Sequence, residues 1–177
     1  MEPITSALLV EFLKTLGQRS SLRTAIYLLG GSALSIMGNP RRTLDIDYTT
    51  DLTDERQKIF ENLVDQVAAE LKLDVEAVPL NEFIPLPPNA NARAHFVAQY
   101  GNLEVYVFDL YSIALSKIAR GFESDLEDVL FLLHDGLIDW VELEGYFQAV
   151  LPDISKADID PQEFTLYFTA IKNRFLR

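Results

Sequence analysis

The stretch IYLLGGSALSIMGNPRRTLDIDYTT, residues 26–50, is the part of the sequence that decides the fold. Its apolar start ends in a Gly-Gly-Ser turn at residues 30–32, and twelve residues separate this turn from Asp45 and Asp47. Residues i and i+2 of a β-strand project from the same face, about 7 Å apart, so the two carboxylates are expected side by side. Adjacent carboxylates repel each other unless water, a proton or a cation separates them. Because oxygen atoms are the ligands that Mg²⁺ prefers, the pair indicates a divalent-cation site.

A solvated edge strand is the alternative interpretation of Asp45 and Asp47, because acidic residues are common throughout this chain. Glycine pairs likewise often mark simple turns. The order and the spacing favour a site, since a tight turn into a helix leaves backbone N–H groups that point at an anion. A phosphate bound at Gly31 and Ser32 would then face a metal bound at the two aspartates.

Three segments of the chain together resemble the nucleotidyltransferase superfamily. They are GGSAL at 30–34, RRTLDIDY at 41–48 and LSKIARGFESDLEDVLFLL at 115–133. More narrowly, the chain is similar to the minimal bacterial nucleotidyltransferase-like proteins, which include AbiEii-type toxins and related domains of unknown function. The resemblance implies an α/β (α+β) fold, in which a small mixed sheet flanked by helices is followed by a C-terminal helical subdomain. It also implies Mg²⁺ or Mn²⁺ as the cofactor, with Asp45 and Asp47 as metal ligands and catalytic residues.

The resembling families complete the metal site with a third acid on the strand beside the paired aspartates. Glu104 matches this pattern, because Leu103-Glu104-Val105 places one acid between two apolar residues of a predicted strand. The resemblance makes Glu104 a catalytic residue, either as general base or as metal ligand. Asp109 competes for the same role, although its place at the end of the strand predicts an N-cap for the next helix. An ordinary outward-facing strand residue stays open as the interpretation of Glu104.

Groups that could bind phosphate also occur in the second and third segments. Lys117 stands in an otherwise apolar helical pattern, so we expect a partner close to it, because an unpaired buried lysine is costly. The resemblance implies that Lys117 contacts nucleotide phosphate and that Asp125 orients it, with Asp128 as the alternative partner. A Lys–Asp bridge that only ties two helices together stays open as well. Arg42, together with Arg41, is the other basic candidate for a nucleotide or an RNA end.

The composition limits the classes of partner. The chain has 27 acidic and 15 basic residues, a formal net charge of −12, so we expect no nonspecific binding to duplex DNA, which needs Lys and Arg against phosphate. No apolar run approaches the roughly 20 residues of a transmembrane helix. The sequence contains no cysteine, which fits a reducing compartment. We therefore expect a cytoplasmic protein without a membrane partner.

Residues 1–177 are expected to form a single domain with two parts, an α/β part at 1–109 and a helical part at 110–177. In the first part, hydrophobic periodicity predicts helices over 3–16, 32–37 and 54–71 and strands over 24–29, 43–50, 73–78, 93–100 and 103–108. The helix over 54–71 is predicted from an apolar stripe at Ile59, Leu63, Val67 and Leu71. In the second part, capping patterns predict helix starts at Ser124, Asp139 and Asp160.

The leading hypothesis for function is metal-dependent transfer of a nucleotidyl group from an NTP to an acceptor hydroxyl on an RNA end or a protein. The toxins among the resembling proteins imply an antitoxin as a further partner. The rival hypothesis is a catalytically silent member of the same fold that binds a nucleotide or a partner protein.

Overall fold

The computed structural model describes residues 3–41, 43–80 and 84–177. The chain forms two compact units, one made of residues 1–78 and 94–108 and the other of residues 79–93 and 109–177. The loop at 79–93 therefore belongs with the C-terminal helices, which the strand and helix patterns of the sequence do not indicate. Within the described ranges, no helix combines the length and the apolar character needed to cross a membrane.

A mixed sheet forms the centre of the first unit. Its strands are β1 (Thr24–Leu28), β2 (Ile46–Thr50), β3 (Val75–Ala77), β4 (His95–Tyr100) and β5 (Leu103–Val107). The five strands lie in the order β3-β2-β1-β5-β4. The central strand β1 pairs antiparallel with β2 and parallel with β5, while β3 is parallel to β2 and β4 is antiparallel to β5. The predicted mixed sheet is thus confirmed, with each strand close to its predicted range.

Helices cover one face of this sheet. They are α1 (Ser6–Arg19), α2 (Gly30–Ile36) and α3 (Asp54–Leu71). The covered face of β1, β2 and β5 carries buried apolar residues, among them Ile26, Leu28 and Val105, and Tyr48 of β2 meets Phe60 of α3 edge to face with ring centroids 6.4 Å apart. The bounds predicted for α3 are confirmed, but the predicted stripe is wrong in part, since Ile59 is exposed. The buried residues of α3 are Phe60, Val64, Val67 and Ala68.

The second unit is helical. Its helices are α4 (Leu110–Arg120), α5 (Glu123–His134), α6 (Trp140–Val150) and α7 (Pro161–Phe175). Phe147 and Phe168 stack between α6 and α7 with ring centroids 3.9 Å apart. Asp139 and Asp160 cap α6 and α7 as predicted. The predicted capping box at Ser124 is wrong, because α5 begins one residue earlier and Phe122 is its N-cap.

Candidate functional site

The Gly-Gly-Ser turn and the acidic strand meet at the end of β1. The backbone N–H of Leu29 donates to the carbonyl oxygen of Asp47 at 2.9 Å. Gly30 has a positive φ of 51°, and a Cβ atom added there would lie 2.3 Å from Oδ2 of Asp47. Only glycine adopts this backbone conformation without strain and leaves the space that the carboxylate occupies. Gly30 therefore allows the Asp47 carboxylate to lie against the start of α2.

Gly31 makes room for the segment that holds the other aspartate. A Cβ atom added at Gly31 would lie 2.5 Å from Oγ1 of Thr43 and 2.8 Å from its Cβ. The same Thr43 hydroxyl lies 3.1 Å from Oδ1 of Asp45, to which it donates, and the Thr43 carbonyl accepts from the N–H of Ile4 at 2.8 Å. The second glycine thus permits the contact that supports Asp45, which is exposed and immediately precedes β2.

Ser32 contributes to this arrangement from inside the core. The residue is fully buried, and its hydroxyl lies 2.8 Å from the carbonyl oxygen of Leu29 and 3.3 Å from that of Asp47. These contacts tie Ser32 to the N-cap residue of α2 and to β2. The hydroxyl is therefore engaged with backbone carbonyls.

The strand register separates Glu104 from the aspartate pair. Glu104 of β5 pairs in parallel with Ala25 of β1. Asp47 of β2 is instead hydrogen-bonded through its carbonyl oxygen to Leu29, which lies four residues after Ala25. Four residues correspond to about 13 Å along the strands, and two strand spacings add about 10 Å across the sheet. The Glu104 carboxylate instead accepts from the hydroxyl of Tyr106 at 3.2 Å. By this register Glu104 lies well away from Asp47, which is held at Gly30, while Asp45 is held by Thr43.

The donor set of the aspartate pair fits one mode of magnesium binding. Mg²⁺ that accompanies a nucleotide is usually held by one or two carboxylates together with phosphate oxygens and waters. Asp45 and Asp47 provide such carboxylates. Among residues 3–41, 43–80 and 84–177, no group of three or more His, Cys, Asp and Glu side chains could hold a metal ion. The pair therefore fits a cation that arrives with phosphate better than a cage built from protein ligands alone.

Lys117 lies in a buried charge cluster of the second unit. Its side chain is 2% exposed, and its Nζ atom lies 2.7 Å from Asp128 Oδ2 and 3.2 Å from Asp125 Oδ1. Asp125 is also contacted by Arg120, whose Nε lies 3.1 Å from its Oδ2. Two cations and two carboxylates thus neutralise one another between α4 and α5. This is the helix-tying bridge that the sequence left open, and both candidate partners of Lys117 take part in it.

Asp109 is buried and fully engaged in the second unit. Arg93 holds it through two parallel bonds of 2.8 Å, from Nε to Oδ1 and from Nη2 to Oδ2. The Ser112 hydroxyl donates to Oδ2 at 2.6 Å, and the N–H groups of Tyr111 and Ser112 complete an N-cap of α4. The predicted N-cap is confirmed. The Asp109 carboxylate, in turn, raises the pKa of the Arg93 guanidinium through these hydrogen bonds.

Arg93 also contacts Tyr146, which packs against Tyr111. The Arg93 guanidinium lies 4.3 Å from the centroid of the Tyr146 ring and donates to its hydroxyl at 3.1 Å. Tyr146 in turn packs on Tyr111 with ring centroids 4.9 Å apart, and Tyr111 makes a short hydrogen bond to Glu142. Burial, reinforced by that bond, raises the pKa of Tyr111 to about 12. This cluster fixes Arg93, the last residue of a 3₁₀ turn at Ala90–Arg93, onto α4 and α6.

The sequence matches a known protein family over almost its whole length. A family described as nucleotidyltransferase of unknown function (DUF6036) matches residues 7–176. The chain belongs to this family. The structure is similar to that of an antigenic nucleotidyltransferase-like protein from Paracoccidioides brasiliensis, with a TM-score of 0.53 and 19% identity over 88% of this chain and 94% of that one. At that identity the likeness supports the fold alone, and no curated protein matches the sequence.

Membership of the DUF6036 family confirms the predicted nucleotidyltransferase resemblance and the predicted fold. Two residues that hold candidate acids in place, one in each unit, are absent from the sequence-based candidates. Thr43 donates to Asp45, and the only indication of this role in the sequence is that Thr43 lies two residues before Asp45. Arg93 holds Asp109 from sixteen residues away, and no local pattern reveals it. Arg42 is predicted from the sequence to bind nucleotide, and it lies outside the described residues.

Proposed function

We propose that this DUF6036 protein transfers a nucleotidyl group from an NTP to an acceptor hydroxyl, with Asp45 and Asp47 as the residues that hold a divalent cation. The observation that carries this proposal is the shared packing of the two motifs. The Asp47 carboxylate fills the space at Gly30, and Thr43, which donates to Asp45, fills the space at Gly31. Residues that served only as a turn and a solvated strand would not require this mutual fit.

The chemistry of the site follows from these positions. In the proposed reaction the acceptor oxygen bonds to the α-phosphorus of the NTP, the acceptor proton is released, and the bond to pyrophosphate breaks. A bound Mg²⁺ or Mn²⁺ would supply charge neutralisation for the phosphates. Asp45 and Asp47 would bind it, and Gly30 and Thr43 would keep the two carboxylates in place. The exposed Asp45 leaves the pair accessible to a nucleotide.

Several sequence predictions are not needed for this proposal. Lys117 and Asp125 as phosphate-binding residues stay a prediction, since the Lys117 ammonium is already shared by two carboxylates. Gly31 and Ser32 stay predictions in the same role, and the buried Ser32 hydroxyl bonds to backbone instead. An RNA end or a protein as acceptor and an antitoxin as partner likewise remain predictions.

The test is metal-dependent labelling. Each α-labelled NTP is incubated with the purified protein, Mg²⁺ or Mn²⁺, and cellular RNA or protein as the acceptor. We expect incorporation that falls at least about a hundredfold in Asp47→Asn, since a bound metal supplies several kcal/mol of transition-state stabilisation. Asp51→Asn is the matched control, because Asp51 is an exposed acid just beyond the same strand, where it accepts from the Thr24 hydroxyl at 3.3 Å. Equal labelling by Asp47→Asn and the wild type would refute the proposal.

A catalytically silent nucleotide binder is the second candidate. The observation that favours it is the register of β5, which leaves the aspartate pair without Glu104. Titration calorimetry separates the two candidates. A silent binder takes up NTP without metal, whereas the proposed enzyme requires Mg²⁺ for tight NTP binding and loses this Mg²⁺-dependent binding in Asp45→Ala.

A further inference from the structure

Three aromatic rings form a row on the sheet face that carries Asp47. Phe96, Tyr106 and Tyr27 lie on the adjacent strands β4, β5 and β1. Tyr27 stacks on Tyr106 with ring centroids 5.3 Å apart, and Phe96 meets Tyr106 edge to face at 5.5 Å. Phe96 is 59% exposed, and both tyrosines are half-buried. We refer to these three residues as the aromatic row.

The aromatic row has a carboxylate at its side. The Tyr106 hydroxyl donates to Oε2 of Glu104, whose side chain is 35% exposed. Burial, with the negative charge of Glu104, raises the pKa of Tyr106, so this hydroxyl stays protonated and continues to donate. Each carboxylate oxygen can accept two hydrogen bonds. The other oxygen, Oε1, lies 3.9 Å from Nη2 of Arg23, an exposed side chain, so Glu104 keeps acceptor capacity toward solvent.

The aromatic row starts close to the aspartate pair and leads away from it. Tyr27 is the direct partner of Thr49, which lies two residues from Asp47 and on the same face. Glu104 lies beyond Tyr27 and Tyr106, about 16 Å from Asp47 when the spacings along and across the strands are combined. An extended nucleoside triphosphate is of comparable length. One end of this surface thus suits phosphates with a cation, and the other suits a neutral, flat ring.

We propose that the aromatic row and Glu104 bind the base of the nucleotide whose phosphates lie at Asp45 and Asp47. This inference rests on the proposed function and assigns Glu104 to base recognition. Aromatic side chains stack with any base, so the rings provide affinity. A carboxylate only accepts hydrogen bonds, so Glu104 provides selectivity for bases with N–H donors at their edge.

Guanine is the base that this chemistry favours. It presents two neighbouring N–H donors on one edge, which match the two oxygens of a carboxylate. Uracil presents a single N–H group flanked by two carbonyl oxygens, which the Glu104 carboxylate repels. We therefore expect guanosine to bind best and uridine to bind worst.

The experiment uses the nucleosides alone, because they carry no phosphate and need no metal. The full chain is prepared with ¹³C-labelled tyrosine rings, and guanosine or uridine is titrated by NMR. Signals of Tyr27 and Tyr106, assigned from single Tyr→Phe variants, should shift with guanosine at lower concentration than with uridine. Tyr106→Leu should weaken guanosine binding at least about fivefold, the lower range of base stacking. Glu104→Gln should remove most of the preference for guanosine, because an amide can also donate to uracil.

Tyr100→Leu is the matched control. Tyr100 lies on β4 but on the helix-covered face, where Lys14 of α1 lies over its ring at 5.8 Å. This variant should leave guanosine binding unchanged, and Phe96→Ser, at an exposed position, should weaken it without a risk to folding. Signals of Tyr27 and Tyr106 that move with neither nucleoside, or only with an RNA oligonucleotide, would overturn the inference.

The outcomes also separate this inference from the proposed function. Asp47→Asn should abolish nucleotide transfer and leave guanosine binding unchanged. Transfer without any effect of Tyr106→Leu on guanosine binding would refute the base site and leave the proposed function standing. Guanosine binding at the aromatic row without any nucleotide transfer would refute the proposed function and leave the base site standing.

Discussion

Replacement of Lys117 by methionine tests the buried charge cluster of the second unit. Lys117 is 1% exposed and is shared by Asp125 and Asp128. Methionine keeps most of the volume of the lysine side chain but has no charge. The variant therefore takes one cation away from two buried carboxylates, while Arg120 still contacts Asp125.

The expected cost follows from this imbalance. Removal of one partner from a buried ion pair destabilises a protein by about 3–5 kcal/mol, because the remaining charge stays buried. Because Arg120 still neutralises Asp125, we expect Lys117→Met to lower the free energy of unfolding by about 3 kcal/mol, at the lower end of that range. The double variant Lys117→Met/Asp128→Leu removes one of the two carboxylates together with the lysine. It should recover most of the loss, since apolar replacements of a whole buried pair are often neutral.

Urea unfolding followed by tryptophan fluorescence is the appropriate assay. The chain has one tryptophan, Trp140, which stacks on Phe168 with ring centroids 5.1 Å apart and so reports on the second unit. The free energy of unfolding is compared among the wild type, the single variant and the double variant at pH 7. Lys156→Met is the control, because its pair with Asp153 is exposed and should be worth less than about 1 kcal/mol.

Two outcomes would refute the reasoning about the cluster. A loss below about 1 kcal/mol in Lys117→Met would show that the carboxylates do not need the lysine. A double variant as unstable as the single one would show that the cost comes from packing rather than from charge.

Two further predictions concern the first unit and the tyrosine cluster. Gly31→Ala should destabilise the protein by about 1–3 kcal/mol, because the added Cβ atom overlaps Thr43. The control is Gly145→Ala in α6, where the added Cβ atom meets nothing within 4 Å, so this variant should be neutral or stabilising. Urea unfolding followed by far-UV circular dichroism measures the stability of both variants, and equal losses of stability would contradict the packing argument. The raised pKa of Tyr111, about 12 instead of 10, contributes stability that is complete below pH 10 and is lost as the pH rises through about 12. Tyr111→Phe should flatten this alkaline decline, as measured by urea unfolding between these pH values; an unchanged slope would show that another group causes it.

The sequence predicted most of the fold because the governing patterns are local. Gly30, Gly31 and the two aspartates lie within one strand–helix–strand segment, and in the structure Gly30 meets Asp47 and Gly31 meets Thr43, which donates to Asp45. The apolar stripe of α3 was only partly right for a geometric reason. Steps of four residues drift around a helix of 3.6 residues per turn, so a stripe of strict i+4 positions cannot stay on one face.

Long-range pairings account for what the sequence did not predict. The position of Glu104 along the sheet depends on which residue of β1 it faces, and that partner, Ala25, lies 79 residues earlier. A register cannot be read from the alternation of one strand, because every second residue satisfies it equally well. The bond between Arg93 and Asp109 likewise requires the loop at 79–93 to fold with the helices, which no capping or periodicity signal indicates.

The interleaved course of the chain has a consequence for how it can be divided. A fragment that contained only residues 109–177 would lack Arg93, and Asp109 would then be left at the start of α4 without the guanidinium that neutralises it. During synthesis, β1 must likewise wait for β5, its partner from 79 residues further on, before the middle of the sheet can close. The second unit is therefore encoded in two separate pieces of sequence, and a fragment that begins at residue 79 would keep Arg93 but would also carry β4 and β5 without β1, the strand that pairs with β5.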